Sequence, residues 1–252
     1  MIRSEFLEYI DTKIGEIPAW VIRPKKKEEK YKTIIFYHGW SSSRDNQVFR
    51  ANILVSYGYQ VILPEAQFHG ERGSLDYEKK EVVRDYFLRV LMHNIEESVS
   101  VYKAAIEKFD ADPENVIVSG HSLGAITAGS IYTFNKKIKA ALLFNGNMNW
   151  KRLVEEIKKL EDDKDWTLDR RYEFALQMDP MIHIEDMGNR PLFMLHGEED
   201  DVVNPLFDKE FFEEAKDSFD NGRIIYETFE KTTHQLTTHM LERGLTLLKE
   251  FE

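Results

Sequence analysis

A pentapeptide in mid-chain constrains this sequence more than any other feature. Gly120-His121-Ser122-Leu123-Gly124 has the spacing G-x-S-x-G and stands directly after the β-branched run Val116-Ile117-Val118. Such a run reads as a short buried strand that stops at Gly120. The small and apolar residues after Ser122 read as a helix. A serine set between strand and helix by two glycines is the pattern of a nucleophile elbow. The turn is so sharp that the serine takes a strained backbone conformation, and a Cβ at either glycine would collide with a neighbouring element. The helix N-terminus adds free N–H groups and partial positive charge, which suit a developing oxyanion.

The rest of the chain supplies a frame for that turn. Phe6 to Ile10 and Ala19 to Ile22 read as a hairpin bending near Gly15. Thr33 to Tyr37 and Gln60 to Leu63 are apolar runs of the kind buried on both faces. A helix is predicted over Val48 to Tyr57. From Tyr77 to Phe109 there is no Gly or Pro, and apolar residues from Val82 to Phe109 recur at helical spacing; Pro113 resets the chain for the elbow strand. Ile138 to Phe144, Leu192 to Leu195 and Arg223 to Phe229 complete eight strands. Helices fit Pro205 to Phe219 and Gln235 to Phe251. Between about 150 and 188 the pattern is helical only, with Trp150, Leu153, Val154, Ile157 and Leu160 on one face and Leu168 to Leu176 after it. Alternating strands and helices imply an α/β fold: one mostly parallel eight-stranded sheet with helices on both faces. The expectation is a single domain over 1–252 with a small helical cap insertion at about 150–188.

In such sheets ligands collect at the carboxyl ends of the strands. Ser122, Asp200, His234 and His38-Gly39-Trp40 each follow a predicted strand. A serine hydroxyl is a poor nucleophile until a base takes its proton and a carboxylate orients that base. His234 is the base expected here, because it lies between the last strand and the last helix; His239, five residues on, is the weaker candidate. Asp200 is the acid expected, with Asp201 in reserve. A carboxylate cluster such as Glu198-Glu199-Asp200-Asp201 is usually solvated surface, but this one follows an apolar strand ending in His-Gly. The backbone N–H groups of Trp40 and Leu123 are the candidate oxyanion donors. His38, His69, His121 and Trp150 are candidates to line a pocket. The loop His69-Gly70-Glu71-Arg72-Gly73 could instead hold itself by a Glu71–Arg72 pair, and the structural role is slightly favoured. Trp150, Trp166 and Met178 could form a lid, although such residues at helical spacing are more often ordinary packing.

Composition removes several alternatives. The 252 residues include no cysteine, so disulfides, thiolate zinc sites and a cysteine nucleophile are excluded, as suits a reducing cytoplasm. A chain of this length buries about 70–75% of its unfolded surface without covalent staples. The net charge of -11 argues against nucleic-acid binding, and Lys25-Lys26-Lys27 reads as a solvated turn. Apolar runs such as Ala140 to Phe144 are too short to span a bilayer, and the N-terminal residues lack a signal-peptide core. There is no His-Glu-x-x-His, no G-x-G-x-x-G and no G-x-x-x-x-G-K-[ST], so neither a metal nor a nucleotide cofactor is expected. Homo-oligomerisation is left open.

With these residues in hand, the chain from about Thr33 to its C-terminus resembles the α/β-hydrolase superfamily. The resemblance rests on Tyr37-His38-Gly39-Trp40, Gly120 to Gly124, His196-Gly197-Glu198-Glu199-Asp200 with Val203, and Thr233-His234. Within the superfamily it is similar to the small bacterial carboxylesterases of the dienelactone hydrolase and prolyl oligopeptidase-like group. Dienelactone hydrolases use a cysteine nucleophile where this chain has Ser122. The resemblance implies an α/β-hydrolase fold and a serine hydrolase cleaving small carboxylic esters through an acyl-enzyme. The alternatives are a thioesterase or small-peptide hydrolase with the same three residues, and a non-catalytic ligand-binding protein on the same fold.

Overall fold

The computed structural model describes residues 3–160 and 166–251, the side chains of 166–169 excepted. Eight strands form one sheet: β1 (Leu7–Ile14), β2 (Ile17–Pro24), β3 (Tyr31–Tyr37), β4 (Gln60–Pro64), β5 (Ala111–His121), β6 (Ala140–Phe144), β7 (Leu192–Gly197) and β8 (Ile224–Phe229). Their spatial order is β1-β2-β4-β3-β5-β6-β7-β8. The β1–β2 and β2–β4 pairs are antiparallel, and every pair from β4–β3 to β7–β8 is parallel. Helices α1 (Val48–Ser56), α2 (Lys80–Lys108), α3 (Leu123–Phe134), α4 (Trp150–Lys158), α5 (Trp166–Gln177), α6 (Ile184–Met187), α7 (Leu206–Ala215) and α8 (Thr238–Glu250) connect them. This is the α/β-hydrolase architecture.

The period of a strand explains why the inner runs are apolar throughout. Val116 and Val118 of β5 enter the core on one face, while Ile117 enters the core on the other. Leu192 and Met194 of β7 likewise face opposite to Phe193 and Leu195. Both faces of a parallel sheet are covered, so both sets must be hydrophobic. On one side α2, α3 and α7 contribute Val101, Ala105, Ala125, Ala128 and Phe211. On the other, α1 and α8 contribute Leu54, Val55, Met240, Leu241 and Leu245.

Several boundaries differ from the periodicity. The hairpin strands run longer than their apolar cores, and they meet at Ile14↔Ile17 around Gly15, whose φ is +60°. The elbow strand starts at Ala111, before Pro113 rather than after it. The register shifts between the Tyr31 and Thr33 pairings, so the proline sits in an irregular stretch where it breaks no regular ladder. The closing helix begins at Thr238 rather than Gln235. Thr237 caps it, its side chain accepting from the Met240 N–H, and this leaves His234 in a loop. The helix after Pro205 ends at Ala215 and tightens into a 3-10 turn over Lys216–Ser218.

Between β6 and β7 lie α4, α5 and α6. Their apolar residues Trp150, Val154, Ile157, Tyr172 and Ala175 pack with Leu88 and Leu91 of α2 and with Leu123 and Ile126 of α3. Asp179 ties this segment together. Its two carboxylate oxygens accept from the N–H groups of Trp150 and Lys151, both at 2.9 Å, in the first turn of α4. The side chain of Trp166 lies outside the described residues. No described helix is long and apolar enough to cross a membrane.

Candidate active site

The turn at Ser122 is built by its neighbours. β5 ends at His121, α3 begins at Leu123, and Ser122 between them has φ 58° and ψ -124°. That conformation costs a non-glycine residue about 1–3 kcal/mol and persists only when its surroundings over-determine it. Here they do. The Ser122 N–H donates to the Phe144 carbonyl at 3.0 Å, and its own carbonyl accepts from Ala125 and Ile126. A Cβ on Gly120 would overlap the Gly124 carbonyl, and one on Gly124 would overlap Tyr37 O. The two glycines let α3 press against β3 and β5 at the one place where the backbone must double back.

The loop after β3 lies against the same serine. A Cβ on Gly39 would stand 3.3 Å from Ser122 Cβ. Trp40 follows directly, and Leu123 is the first residue of α3, so its N–H has no intrahelical acceptor. Among the described residues, neither N–H meets a protein acceptor.

The candidate acid and base come from the loops after β7 and β8. His234 Nδ1 donates to Asp200 Oδ2 at 2.7 Å, although 34 residues separate them in sequence. Asp201 is exposed and is not the partner; His239 is exposed on α8 and belongs to the surface. With Nδ1 committed to Asp200, His234 Nε2 is the ring nitrogen left to take a proton. Ser122 is 8% exposed and the His234 side chain 16%, so both are reachable from outside while the Asp200 side chain is fully buried. No Ser122–His234 hydrogen bond is present among the described residues. Such bonds are commonly long without substrate and tighten on binding. The two loops are nevertheless neighbours, because the His121 and His234 rings lie 4.9 Å apart.

Asp200 is held far below the usual carboxylate range. Burial alone would raise its pKa, but hydrogen bonds from His196, His234, Asn145 and the Val203 N–H outweigh it. Its Oδ1 accepts from the N–H groups of Val202 and Val203, both at 2.9 Å. Asn145 Nδ2 donates to Oδ2 at 2.7 Å. Asn145 carries no motif that singles it out, and His196 figures in the sequence only as the first residue of the His196-Gly197-Glu198-Glu199-Asp200 stretch, with no role of its own. The signal was positional: each stands at the carboxyl end of an inner strand, β6 or β7, as Ser122 does on β5.

Two of the pocket candidates, His38 and His69, are packed rather than open. His38 is 1% exposed, with Nδ1 donating to Gly39 O at 2.9 Å and Nε2 standing 3.0 Å from Glu65 Oε1. His69 has no exposure; its Nδ1 donates to Gln67 O at 2.8 Å, and its ring stacks on Tyr77 at 4.8 Å beneath Trp40. Burial pushes the His69 pKa down to about 4 and that of His121 down to about 3, so both rings are neutral at pH 7. Trp150, the first residue of α4, is fully buried. The loop pair expected between Glu71 and Arg72 does not form. Arg72 makes a two-pronged bond to Glu97 of α2, at 2.7 and 2.5 Å, and Glu71 bonds Arg44. Adjacent residues in a 3-10 turn point apart, so each finds its partner elsewhere.

A cleft of about 850 Å³ opens beside Asp200, lined by Glu198, Glu199, Asp201 and Leu206 among others. Neither Ser122 nor His234 lines it, so it is not the place of the reacting carbonyl. Among the described residues, no group of three or more His, Asp or Glu side chains could hold a metal ion.

Known proteins share this plan. The chain is 24% identical over 252 residues to the esterase YjfP of Escherichia coli (strain K12), covering 97% of this chain and 99% of YjfP. The crystal structure of TT1662 from Thermus thermophilus matches with a TM-score of 0.81 at 21% identity, covering 97% of this chain and 98% of that one. The esterase Pf2001 from Pyrococcus furiosus matches with a TM-score of 0.65 at 20% identity, covering 97% and 93%. At such identities the two solved structures speak to the fold. The model of the prolyl oligopeptidase family (Peptidase_S9) matches residues 89–249, which include the elbow, Asp200 and His234. That span is more than half of the chain, and the chain belongs to the prolyl oligopeptidase family within the α/β-hydrolase superfamily.

Proposed function

We propose that this protein is a serine hydrolase cleaving small carboxylic esters through an acyl-enzyme on Ser122. The observation that carries the reading is the 2.7 Å bond from His234 Nδ1 to Asp200 Oδ2 beside the strained turn at Ser122, at one edge of one sheet. His234 Nε2 takes the Ser122 proton as Oγ attacks the ester carbonyl. Asp200 fixes the tautomer and offsets the charge that forms on the ring. The N–H groups of Trp40 and Leu123 receive the oxyanion; losing one such donor costs about 3–4 kcal/mol of transition-state stabilisation. His234 then protonates the leaving alcohol, activates water, and the acid departs. The esterase YjfP, aligned over nearly the whole of both chains, supports an ester as the substrate. The absence of cysteine suits a cytoplasmic setting.

Cleavage of a short peptide is the second reading, favoured by the family match. One experiment separates the outcomes. The protein is labelled with a fluorophosphonate, the labelled peptide is located by mass spectrometry, and rates are compared on matched p-nitrophenyl esters, thioesters and dipeptide anilides. Label on Ser122, fast ester turnover and loss of both in Ser122→Ala are expected. Turnover unchanged in Ser122→Ala would overturn the mechanism, and a preference for the anilide would establish the peptide reading.

A further inference from the structure

β7 ends near His196, whose side chain has no exposure to solvent. Both ring nitrogens face oxygens. Nδ1 lies 3.1 Å from Asp208 Oδ2 of α7. Nε2 lies 3.0 Å from the Val203 carbonyl oxygen and 3.2 Å from Asp200 Oδ2. A neutral imidazole has one N–H and one lone pair, and a carbonyl or carboxylate oxygen can only accept. Either neutral tautomer would therefore aim its lone pair at an oxygen lone pair inside the protein. The imidazolium donates on both sides and leaves nothing unpaired.

The two carboxylates are anchored independently of His196. Asp208 is 1% exposed, and its Oδ1 accepts from the Met148 N–H at 2.9 Å. Asp200 is held by the Val202, Val203 and Asn145 donors. We propose that His196 is an imidazolium at neutral pH, clamped between Asp208 and Asp200, a positioning residue that fixes the acid and moderates the negative charge beside His234. This rests on the assignment of Asp200 and His234 as the acid–base pair.

The row then reads Asp208 negative, His196 positive and Asp200 negative, with His234 hydrogen-bonded to its outer end. Arg50 of α1 adds positive charge at His121, whereas among the described residues His196 alone faces both Asp200 and Asp208. His121, at the end of β5, is neutral at pH 7, and Tyr226 of β8 is pushed up by burial and by Asp208, so it too stays neutral. Glu198 stands beyond Tyr226 and adds only negative charge. Burial opposes the charge on His196, but the hydrogen bonds to Asp200 and Asp208 prevail and push its pKa up to about 9. Without that cation the row carries one more net negative charge next to His234. A proton on His234 would then be held more strongly.

The test uses the full chain, with ¹⁵N-labelled histidine and long-range ¹H–¹⁵N correlation from pH 5 to 9. It is run on Ser122→Ala as well as on the wild type, and the His196 signals are assigned with His196→Asn. Both His196 nitrogens are expected to remain protonated at pH 7.5. A neutral tautomer there overturns the proposal, whatever the enzyme does. In His196→Asn, kcat should fall about 10- to 100-fold with KM within about twofold. The acid limb of kcat/KM should move up by about 0.5–1 pH unit. A role confined to packing would lower Tm and leave the limb in place, and that result also overturns the proposal. If His196→Asn fails to fold, Asp208→Asn provides the second variant: His196 should then lose its second proton at a lower pH, and an unchanged titration counts against the clamp. Failure of the serine mechanism would show separately, as activity surviving in Ser122→Ala.

Discussion

Asn145 gives its Nδ2 hydrogen to the same Asp200 oxygen, Oδ2, that receives the His234 N–H, both at 2.7 Å. The two donors approach one lone-pair region from β6 and from the loop after β8, so the carboxylate cannot rotate without breaking both. Asn145 can stand there because its backbone adopts φ +51°, which asparagine tolerates better than most residues.

That backbone conformation allows the side-chain effect to be separated from strain. Asn145→Gly keeps the left-handed turn and removes only the amide, so Tm should stay within a few degrees while kcat falls about tenfold. Asn145→Ala removes the amide and adds about 1–2 kcal/mol of strain, so it should lose the same activity and also stability. Ester turnover and thermal melts on the two variants check this. Equal kcat in Asn145→Gly and wild type would show that Asp200 needs no help from β6.

The choice between neighbouring aspartates is testable by charge alone. Asp200→Asn preserves shape but offers an amide to His234 Nδ1, favouring the wrong tautomer, and kcat should fall by about 10⁴. Asp201 is exposed and touches neither histidine, so Asp201→Asn should lie within about twofold of wild type. Single-turnover rates on one p-nitrophenyl ester would compare them directly.

The elbow glycines make a prediction about folding rather than chemistry. A methyl group on Gly124 would overlap main-chain oxygens of Tyr37 and His38, which have no rotamer to move to. Gly124→Ala should destabilise by at least about 3 kcal/mol, measured by urea unfolding. Gly188→Ala is the control. Nothing lies within 4 Å of a Cβ there, so only the backbone (φ 60°, ψ -150°) is strained and the loss should be about 1–3 kcal/mol.

These residues also show what was legible in the chain. Ser122, Asp200 and His234 could be named as candidates because each follows a strand, and the strand-end rule converts sequence position into spatial position. The inner strands β3 to β7 were legible because burial leaves short runs of buried apolar residues in them, while β1 and β8, only partly buried, had to be read from β-branched and aromatic residues. Partners joined across the fold were not legible. Arg72 finds Glu97 rather than Glu71, Arg44 reaches Glu71, and Asp179 closes the first turn of α4, all by approaches that no local spacing encodes. His196 was visible as the first residue of a His-Gly turn. The charge proposed for it needs Asp208, twelve residues on in α7, opposite Asp200 and the Val203 carbonyl.

The buried histidines predict opposite slopes of stability with pH. His69 and His121 have folded pKa values of about 4 and about 3, below the ordinary value near 6.5. Between those limits the unfolded chain binds more protons, so their contribution is complete above about pH 6.5 and is lost as pH falls. His196, pushed up to about 9, has the reverse sign: its contribution is complete below about pH 6.5 and is lost as pH rises through 9. Carboxylates such as Asp200 also weaken the fold in acid, so the histidine share must be read from variants. His69→Phe fills the same stack beneath Trp40 and beside Tyr77 without a proton to gain. Urea unfolding at pH 7.0 and 5.0 should show a smaller loss for His69→Phe than for wild type. Between pH 7.0 and 8.5, wild type should lose stability and His196→Asn should not. Parallel curves for His69→Phe and wild type over the acid range would mean that His69 is protonated inside the fold, with its Nε2 finding an acceptor beneath Trp40.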